Sequence, residues 1–591
     1  MYALRAELRL APTESQRLFV VTILIGGVCG LAAVAFHSAI FLTSARLIDR
    51  AFAVRGWRWI PWVIATPTLG ALASGLLLQY VFPGARGSGI PQVKIAFASR
   101  SGKVPLREAV GKFLVGTLQI ASGGSLGLEG PTVQICAGLA SALGRAVQLT
   151  PQSRRRLLAV GAAAGIAAAF NAPIAAVTFT IEEVVGNLDH AILSGVIVAA
   201  ALAAVIERSV LGENPVLTVH EHYGLSDPRS LLLYAALGVA AAVAAVAFTD
   251  GLLKVRARFR AMPRVPPWAQ PAIGGAVTGL IAVGVMAWLR VGGVTGGGYG
   301  VLEHALSGQL GVKVMLVLCV AKLIATVFSY SSGGAGGIFA PSLFIGAMLG
   351  GAFGTLDRML FHHDDIGAFA LVGMGAVFSA SIRVPITSVL IIVEMTSGYS
   401  LILPLMIANM SAYIIARHWR PEPIYEALLA QDGVHLRARS VLDTLEFLKL
   451  ESLLAEVPPF VTFTKRTMPS EIVRTVKAHP HQIVFPVVDD SQKLVGMVTT
   501  DEIAALQNAP ELELLVNASD LMRGPIAVRA HDDLRTVFEL MRAEGLLEIP
   551  VVDEAGTVLG IVGEREVAQA YLEATAGKPP MPSTPPPPGA G

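Results

Sequence analysis

The chain has 591 residues, 53% hydrophobic and 15% charged, with a mean hydropathy of +0.61 and a formal net charge of +2. That apolar content exceeds what a soluble chain of this length carries and points to a multi-spanning membrane protein. Near-neutrality removes the case for nucleic-acid binding, and Cys29, Cys136 and Cys319 lie in apolar runs without CxxC spacing, reading as small buried residues rather than a disulfide framework or zinc site.

Residues 1–17 are polar and mixed in charge, which reads as a cytoplasmic N-terminal segment and not as a signal peptide. A membrane domain is expected over 18–430, from the apolar length a bilayer demands. Its first spans are 18–47 and 59–82. Gly87-Ser88-Gly89-Ile90-Pro91 then breaks the pattern ahead of a short helical run. Residues 105–120 lead through Gly123-Gly124 to Gly127-Leu128-Glu129-Gly130-Pro131. Ionisable residues inside a membrane are costly, so Glu129 is a functional-site candidate. Pro131 suits a first helical turn, which places Glu129 at a helix N-terminus part-way through the bilayer. The runs 157–170 and 173–185 are too short to cross an apolar layer of about 30 Å upright. The run 231–253 ends in Lys254, Arg256, Arg258, Arg260 and Arg264, which positive-inside reasoning puts in the cytoplasm. The cluster Arg46, Arg50, Arg55 and Arg58 after the first span keeps that rule from being clean.

The membrane part repeats. Val160-Gly161, Pro173-Ile174 and Ile181-Glu182 recur as Val372-Gly373, Pro385-Ile386 and Val393-Glu394, 212 residues on, and Pro131 recurs as Pro341, 210 residues on. Two halves follow, 18–212 and 227–430. Secondary transporters are often built this way, with the site at the repeat interface made of broken helices. After a linker at 431–455, Phe485-Pro486-Val487-Val488-Asp489 recurs as Ile549-Pro550-Val551-Val552-Asp553, 64 residues on. Each unit, 456–510 and 516–575, reads as strand, turn, strand and helix, too small for a core alone, so the two are expected to pack together. Residues 577–591 are Pro-rich low complexity and read as a disordered tail. The expected fold is an all-α polytopic membrane domain with an inverted repeat and broken helices, followed by an α/β pair.

Three Gly-rich breaks, at 87–91, 127–131 and 336–341, border short helices. A helix N-terminus carries unpaired N–H groups and about half a positive charge, so several that converge make an anion site without lysine or arginine. A small anion held by partial charges can also leave.

GSGIP at 87–91, GLEGP at 127–131, GAAAGIAAAFNAPIAAVTFTIEE at 161–183, GGIFAP at 336–341, SIRVPITSVLIIVEMT at 381–396 and Pro423-Ile424-Tyr425 resemble, in order, the signature blocks of CLC chloride channels and proton-coupled transporters. The soluble repeat is similar to a pair of CBS domains. The resemblance implies that Ser88, the backbone N–H groups of Ile338 and Phe339, and Tyr425 hold a central chloride. It implies that Glu129 is a gate, occupying the anion path when ionised and swinging aside when protonated or displaced. Glu183 matches the inner glutamate at which transporter members load protons, a carboxylate that channel members commonly lack. Chloride–proton antiport by a homodimer in the cell membrane, with the CBS pair in the cytoplasm, is the implied function, with a gated chloride channel the alternative on the same fold. Two positions depart from the family: Leu128 where lysine or arginine is usual, and Gln92 where glutamate is usual. In the CBS-like pair, Thr499 and Glu502, and Gly563 and Glu566, stand where an adenine nucleotide would be held, a weak match that favours a dimerisation and regulatory module. His220-Glu221-His222 and His362-His363-Asp364-Asp365 read as solvated loops and not as metal sites. No lysine follows a glycine loop in the Walker pattern, and no catalytic constellation marks an enzyme.

Overall fold

A computed structural model describes residues 14–98, 102–186, 190–212, 229–363, 365–396, 398–434, 445, 448–454, 459–507 and 516–576. The linker at 431–455 in large part, the tail at 577–591 and His220-Glu221-His222 fall outside these residues. The chain divides into two units, residues 1–436 and 437–591.

The first unit is helical. Among the described residues, eight helices are long and apolar enough to cross a membrane. Phe41, Leu69, Leu232 and Leu280 point outward from them, exposed in a way that lipid and not water accommodates. Between these spans lie the broken pieces. Ile90–Ala98 is 9 residues, Glu129–Ala146 is 18, and Pro173–Phe179 is 7, continued by a π-helical turn at Thr180–Val185. The 9- and 7-residue pieces are too short to cross an apolar layer of about 30 Å, and a bilayer tolerates their open backbone ends only where protein lines the space.

Small residues set how tightly the pieces pack. At the crossing of Phe339–Phe361 and Ile366–Ile382, a Cβ on Gly346 would lie 2.2 Å from the Gly373 carbonyl, and one on Gly373 would lie 2.2 Å from that of Gly346. No side chain fits on either, so the two backbones touch directly.

The repeat is built as an exchange between halves. Gly127 and Gly337 donate to each other's carbonyls at 2.7 Å, as an antiparallel bridge. Glu182 accepts from the N–H groups of Ile386 and Thr387, at 3.2 and 2.9 Å, capping helix Pro385–Thr396. Its counterpart Glu394 accepts from Ile174 and Ala175, at 3.0 and 2.7 Å, capping helix Pro173–Phe179. Equivalent residues trading equivalent bonds while the bridged backbones run in opposite directions is what a two-fold between inverted halves requires. The adjacent glutamates are thus separated in role: Glu182 is a cap, with a carboxylate at the positive end of the helix dipole, and Glu183 is left for something else.

The second unit holds two three-stranded sheets. In the first, β1 (Phe463–Thr464) lies parallel to β2 (Val484–Val488), which pairs antiparallel with β3 (Leu494–Thr499). In the second, β4 (Val528–Arg529), β5 (Glu548–Val552) and β6 (Val558–Gly563) repeat the arrangement. The registers match at an offset of 64: Val484 faces Thr499, and Glu548 faces Gly563. The turn chemistry repeats too. Asp489 accepts from the N–H groups of Ser491 and Lys493, both at 2.9 Å, and Asp553 from those of Ala555 and Thr557, at 2.9 and 2.8 Å.

Candidate functional site

The Gly-rich breaks meet in the interior of the first unit. Gly89 has φ +107°, a conformation that suits glycine, and a Cβ there would lie 2.4 Å from the Gly130 carbonyl. A Cβ on Gly130 would lie 2.4 Å from the Ser88 carbonyl and 3.3 Å from Gly337. The loops bearing Ser88, Glu129 and Ile338 are therefore in backbone contact, and side chains at these glycines would hold them apart. Each loop opens a helix: Ile90–Ala98, Glu129–Ala146 and Phe339–Phe361. The first N–H groups of each have no partner within their helix.

Glu129 is the first residue of its helix and is 1% exposed. One carboxylate oxygen accepts from the Tyr299 hydroxyl. The other lies near the backbone N–H groups of Glu129 and Ala340 without a fully formed hydrogen bond. The buried Lys322 is close enough to attract it electrostatically. A cavity of about 580 Å³ is lined in part by Leu128, which precedes Glu129, and by Tyr299, His37 and His304. Leu128 precedes the helix as its N-cap residue.

Ser88 and Tyr425 are buried, and Ser88 Oγ and the Tyr425 hydroxyl have no hydrogen-bond partner among the described residues. Tyr330 lies beside Ser88 and within electrostatic reach of Tyr425. Buried hydroxyls are costly to leave unsatisfied, which makes these two candidate ligand donors. Phe339 is enclosed by the rings of Phe170, Phe179 and Phe378, with centroids 4.9, 5.4 and 4.1 Å away, which fixes the helix start that presents its N–H.

Glu183 lies in the π-helical turn and is buried. It accepts from Lys94 Nζ at 2.7 Å, and Lys94 also donates to Glu426, the residue after Tyr425. Gln92 accepts from Gly89 N–H at 3.0 Å and donates to the Arg86 carbonyl at 2.8 Å. An amide makes both bonds across the Ser88 loop, and a carboxylate could make only the first.

Several residues escaped the sequence reading. Lys112 donates to the carbonyls of Ala85, at 2.8 Å, and Gly87. Lys322 donates to those of Gly293, Val294 and Gly296, at 3.2, 3.1 and 2.6 Å. Each holds the loop ahead of a short helix, and the two stand 210 residues apart. A lysine recurring at the repeat offset inside two apolar runs was the available signal. Gly298-Tyr299-Gly300 was legible as the repeat counterpart of Gly87-Ser88-Gly89, which gave Tyr299 a place but no role, and the pairing of Lys94 with Glu183 and Glu426 joins residues 89 and 332 positions apart.

The other sequence candidates fare differently. His363 lies 3.4 Å from the buried carboxylate of Asp357, so it has a protein neighbour and is not merely solvated. Thr499 and Glu502 form a capping box on helix Thr500–Gln507: Glu502 accepts from the Thr499 N–H at 2.9 Å, and Thr499 Oγ1 accepts from the Asp501 N–H at 3.3 Å. Burial pushes the Glu502 carboxyl up, but hydrogen bonds from Thr499 and the Arg523 guanidinium outweigh it and hold the group below the usual carboxylate range. Glu566 likewise accepts from Gly563 N–H at 3.1 Å.

Gly-rich loops in backbone contact at the starts of broken helices, with eight candidate spans among the described residues, define a membrane protein of the inverted-repeat kind. The chain belongs to the voltage gated chloride channel family, the CLC family: that family's model matches residues 69–417, and CBS domain models match 454–508 and 518–573. It is 35% identical over 431 residues to an H(+)/Cl(-) exchange transporter ClcA of Vibrio campbellii, covering 71% of this chain and 90% of that one. The ClcA exchanger of Salmonella agona is 33% identical over 418 residues, 69% of this chain and 87% of the relative. Among solved structures, a slow cyanobacterial Cl-/H+ antiporter superposes with a TM-score of 0.63 at 26% identity, covering 70% of this chain and 98% of its own. A eukaryotic CLC transporter covers 93% of this chain and 98% of its own with a TM-score of 0.61; at 22% identity it speaks to the fold.

Proposed function

We propose that this chain exchanges chloride for protons across a cell membrane. The observation that carries the reading is a pair of buried hydroxyls without a hydrogen-bond partner among the described residues: Ser88 Oγ, on a loop in backbone contact with Gly130, and Tyr425 OH, within electrostatic reach of Glu129. Chloride held by these hydroxyls and by the N–H groups of Ile338 and Phe339 meets four donors and no full countercharge, which permits binding and release. Glu129 is the gate. Its carboxylate and chloride are both monovalent anions and compete for donors at one helix end, and a proton abolishes that competition by removing the charge. Glu183 is the inner glutamate that loads protons. The names of the relatives, exchangers of protons and chloride, support antiport over the channel alternative.

The second unit serves as a cytoplasmic regulatory and dimerisation module, and the chain works as a homodimer. Support for the side comes from Asp432, next to the end of the membrane unit, which pairs with Arg256 at 2.9 Å and with Arg260, in the basic stretch assigned to the cytoplasm. An adenine nucleotide, for which the sequence offered only a weak match, would find Thr499 and Glu502 already bonded to each other.

The deciding experiment is flux from vesicles under opposed gradients. Chloride moving down its gradient drives protons uphill in the wild type. Glu129→Gln stops proton movement and leaves chloride flux, and Glu183→Gln uncouples protons alone. Chloride flux that fails to move protons in the wild type refutes antiport.

A further inference from the structure

We infer that Lys94 and Glu426 are positioning residues that make Glu183 a store for one proton, so that the charge of this triad sets the pH at which protons enter the exchange cycle. The inference rests on Glu183 being the inner proton glutamate.

The geometry is specific. Lys94 Nζ lies 2.7 Å from Glu183 Oε1 and in contact with Glu426 Oε1. Lys94 and Glu183 are 10% and 4% exposed at the side chain, whereas Glu426 is 29% exposed and is the member that solvent reaches. The second oxygen of Glu426 is buried with no hydrogen-bond partner among the described residues, a position open to a proton or a water. Glu426 lies on helix Ile424–Gln431, which leads to Asp432 and its arginine partners, the face assigned above to the cytoplasm. Among the described residues, Glu182, held as a helix cap, and the hydroxyl of Tyr425 also lie within electrostatic reach of Glu183. Helix Pro151–Phe170, also packed here, carries no titratable side chain after Arg156, and its Arg155 is stacked over Phe97.

Charge counting gives the consequence. One lysine with two ionised carboxylates carries a net charge of −1, and one proton makes the cluster neutral. In a buried site the neutral state is favoured over either charged neighbour. The triad therefore accepts one proton readily and a second with difficulty, and the proton belongs to the coupled pair and not to one residue. The proton is shared by the two carboxylates that Lys94 contacts, Glu426 being the one nearer solvent.

Opposite substitutions should then act in opposite directions. In Glu426→Gln the cluster is already neutral when Glu183 is ionised, so proton uptake would leave a buried positive charge. In Lys94→Met two carboxylates face each other without a cation and hold a proton more firmly. The double variant returns to one carboxylate, which passes from −1 to neutral as the native triad does.

The test uses the full-length protein in vesicles of phosphatidylethanolamine and phosphatidylglycerol. Proton flux driven by a chloride gradient is measured against pH on the CBS side, with size-exclusion profiles reporting that each variant is folded. The midpoint of coupled proton flux is expected to move at least one pH unit lower in Glu426→Gln and at least one unit higher in Lys94→Met. It should return to within half a unit of wild type in the double variant, and Lys94→Arg should keep the native midpoint. Midpoints that stay fixed, or that move in the same direction in both single variants, overturn the inference. Loss of proton flux in Glu183→Gln alongside fixed midpoints overturns it alone, whereas proton flux that survives in Glu183→Gln refutes the parent reading.

Discussion

If Glu129 is the gate proposed above, Tyr299→Phe removes one atom from its latch and should loosen it by an amount that can be worked out. In the native protein the Tyr299 hydroxyl donates to a Glu129 carboxylate that is 1% exposed. A hydrogen bond to a charged group contributes about 1.5–3 kcal/mol. Phenylalanine keeps the ring that opens helix Tyr299–Leu306, so cavity and packing terms stay small. In the proposed mechanism chloride displaces the ionised carboxylate by competition, so weakening its hold by that amount lowers the chloride concentration for half-maximal flux by about 10- to 100-fold, at tenfold per 1.4 kcal/mol. The assay is chloride efflux from vesicles at graded chloride, at a pH where Glu129 is ionised. The control is the same substitution in a Glu129→Gln background. There a neutral amide replaces the carboxylate, and the Tyr299 effect should shrink to the about 0.5–1.5 kcal/mol of a neutral hydrogen bond. An unchanged chloride dependence in Tyr299→Phe, or an equal effect in both backgrounds, would show that the hydroxyl does not latch the gate.

Two further outcomes are expected elsewhere. Glu182→Ala strips the cap from helix Pro385–Thr396 and should cost about 1–2 kcal/mol; thermal unfolding in detergent reads this as a lower midpoint, while the proton-to-chloride ratio stays native, in contrast to Glu183→Gln. In the second unit, Glu502→Gln should cost about 1 kcal/mol at neutral pH by weakening a capping box. Because the native carboxyl is held below its ordinary value of 4.5, that stability is present above the ordinary range and lost as pH falls through the lowered value. Hydrogen exchange over residues 500–507 should then differ between wild type and variant at neutral pH and converge on acidification.

Much of the architecture was legible because its signals are periodic or local. Apolar length marks spans, the offsets of 212 and 64 mark the repeats, and proline after glycine marks the helix starts that carry Ser88, Glu129 and Phe339. The capping box at Thr499 and Glu502 was equally local, since threonine three residues before glutamate is its whole pattern, yet those residues read only as a weak match to a nucleotide site. Glu182 and Glu183 show the limit. Adjacent and chemically identical, they are distinguished by which partners the fold supplies: two N–H groups of another helix for one, a buried lysine for the other.

The sequence by itself determined that this chain is a repeated membrane protein of the CLC type with a carboxylate at a broken helix, because length, periodicity and motif spacing act over a few turns of chain. Tertiary structure decided what surrounds each charge. Lys94, Lys322 and Tyr299 acquire their roles through contacts that cross from one element to another, and a buried charge is governed by its neighbours in space, whose electrostatic effect falls with distance in ångströms and not with separation along the chain.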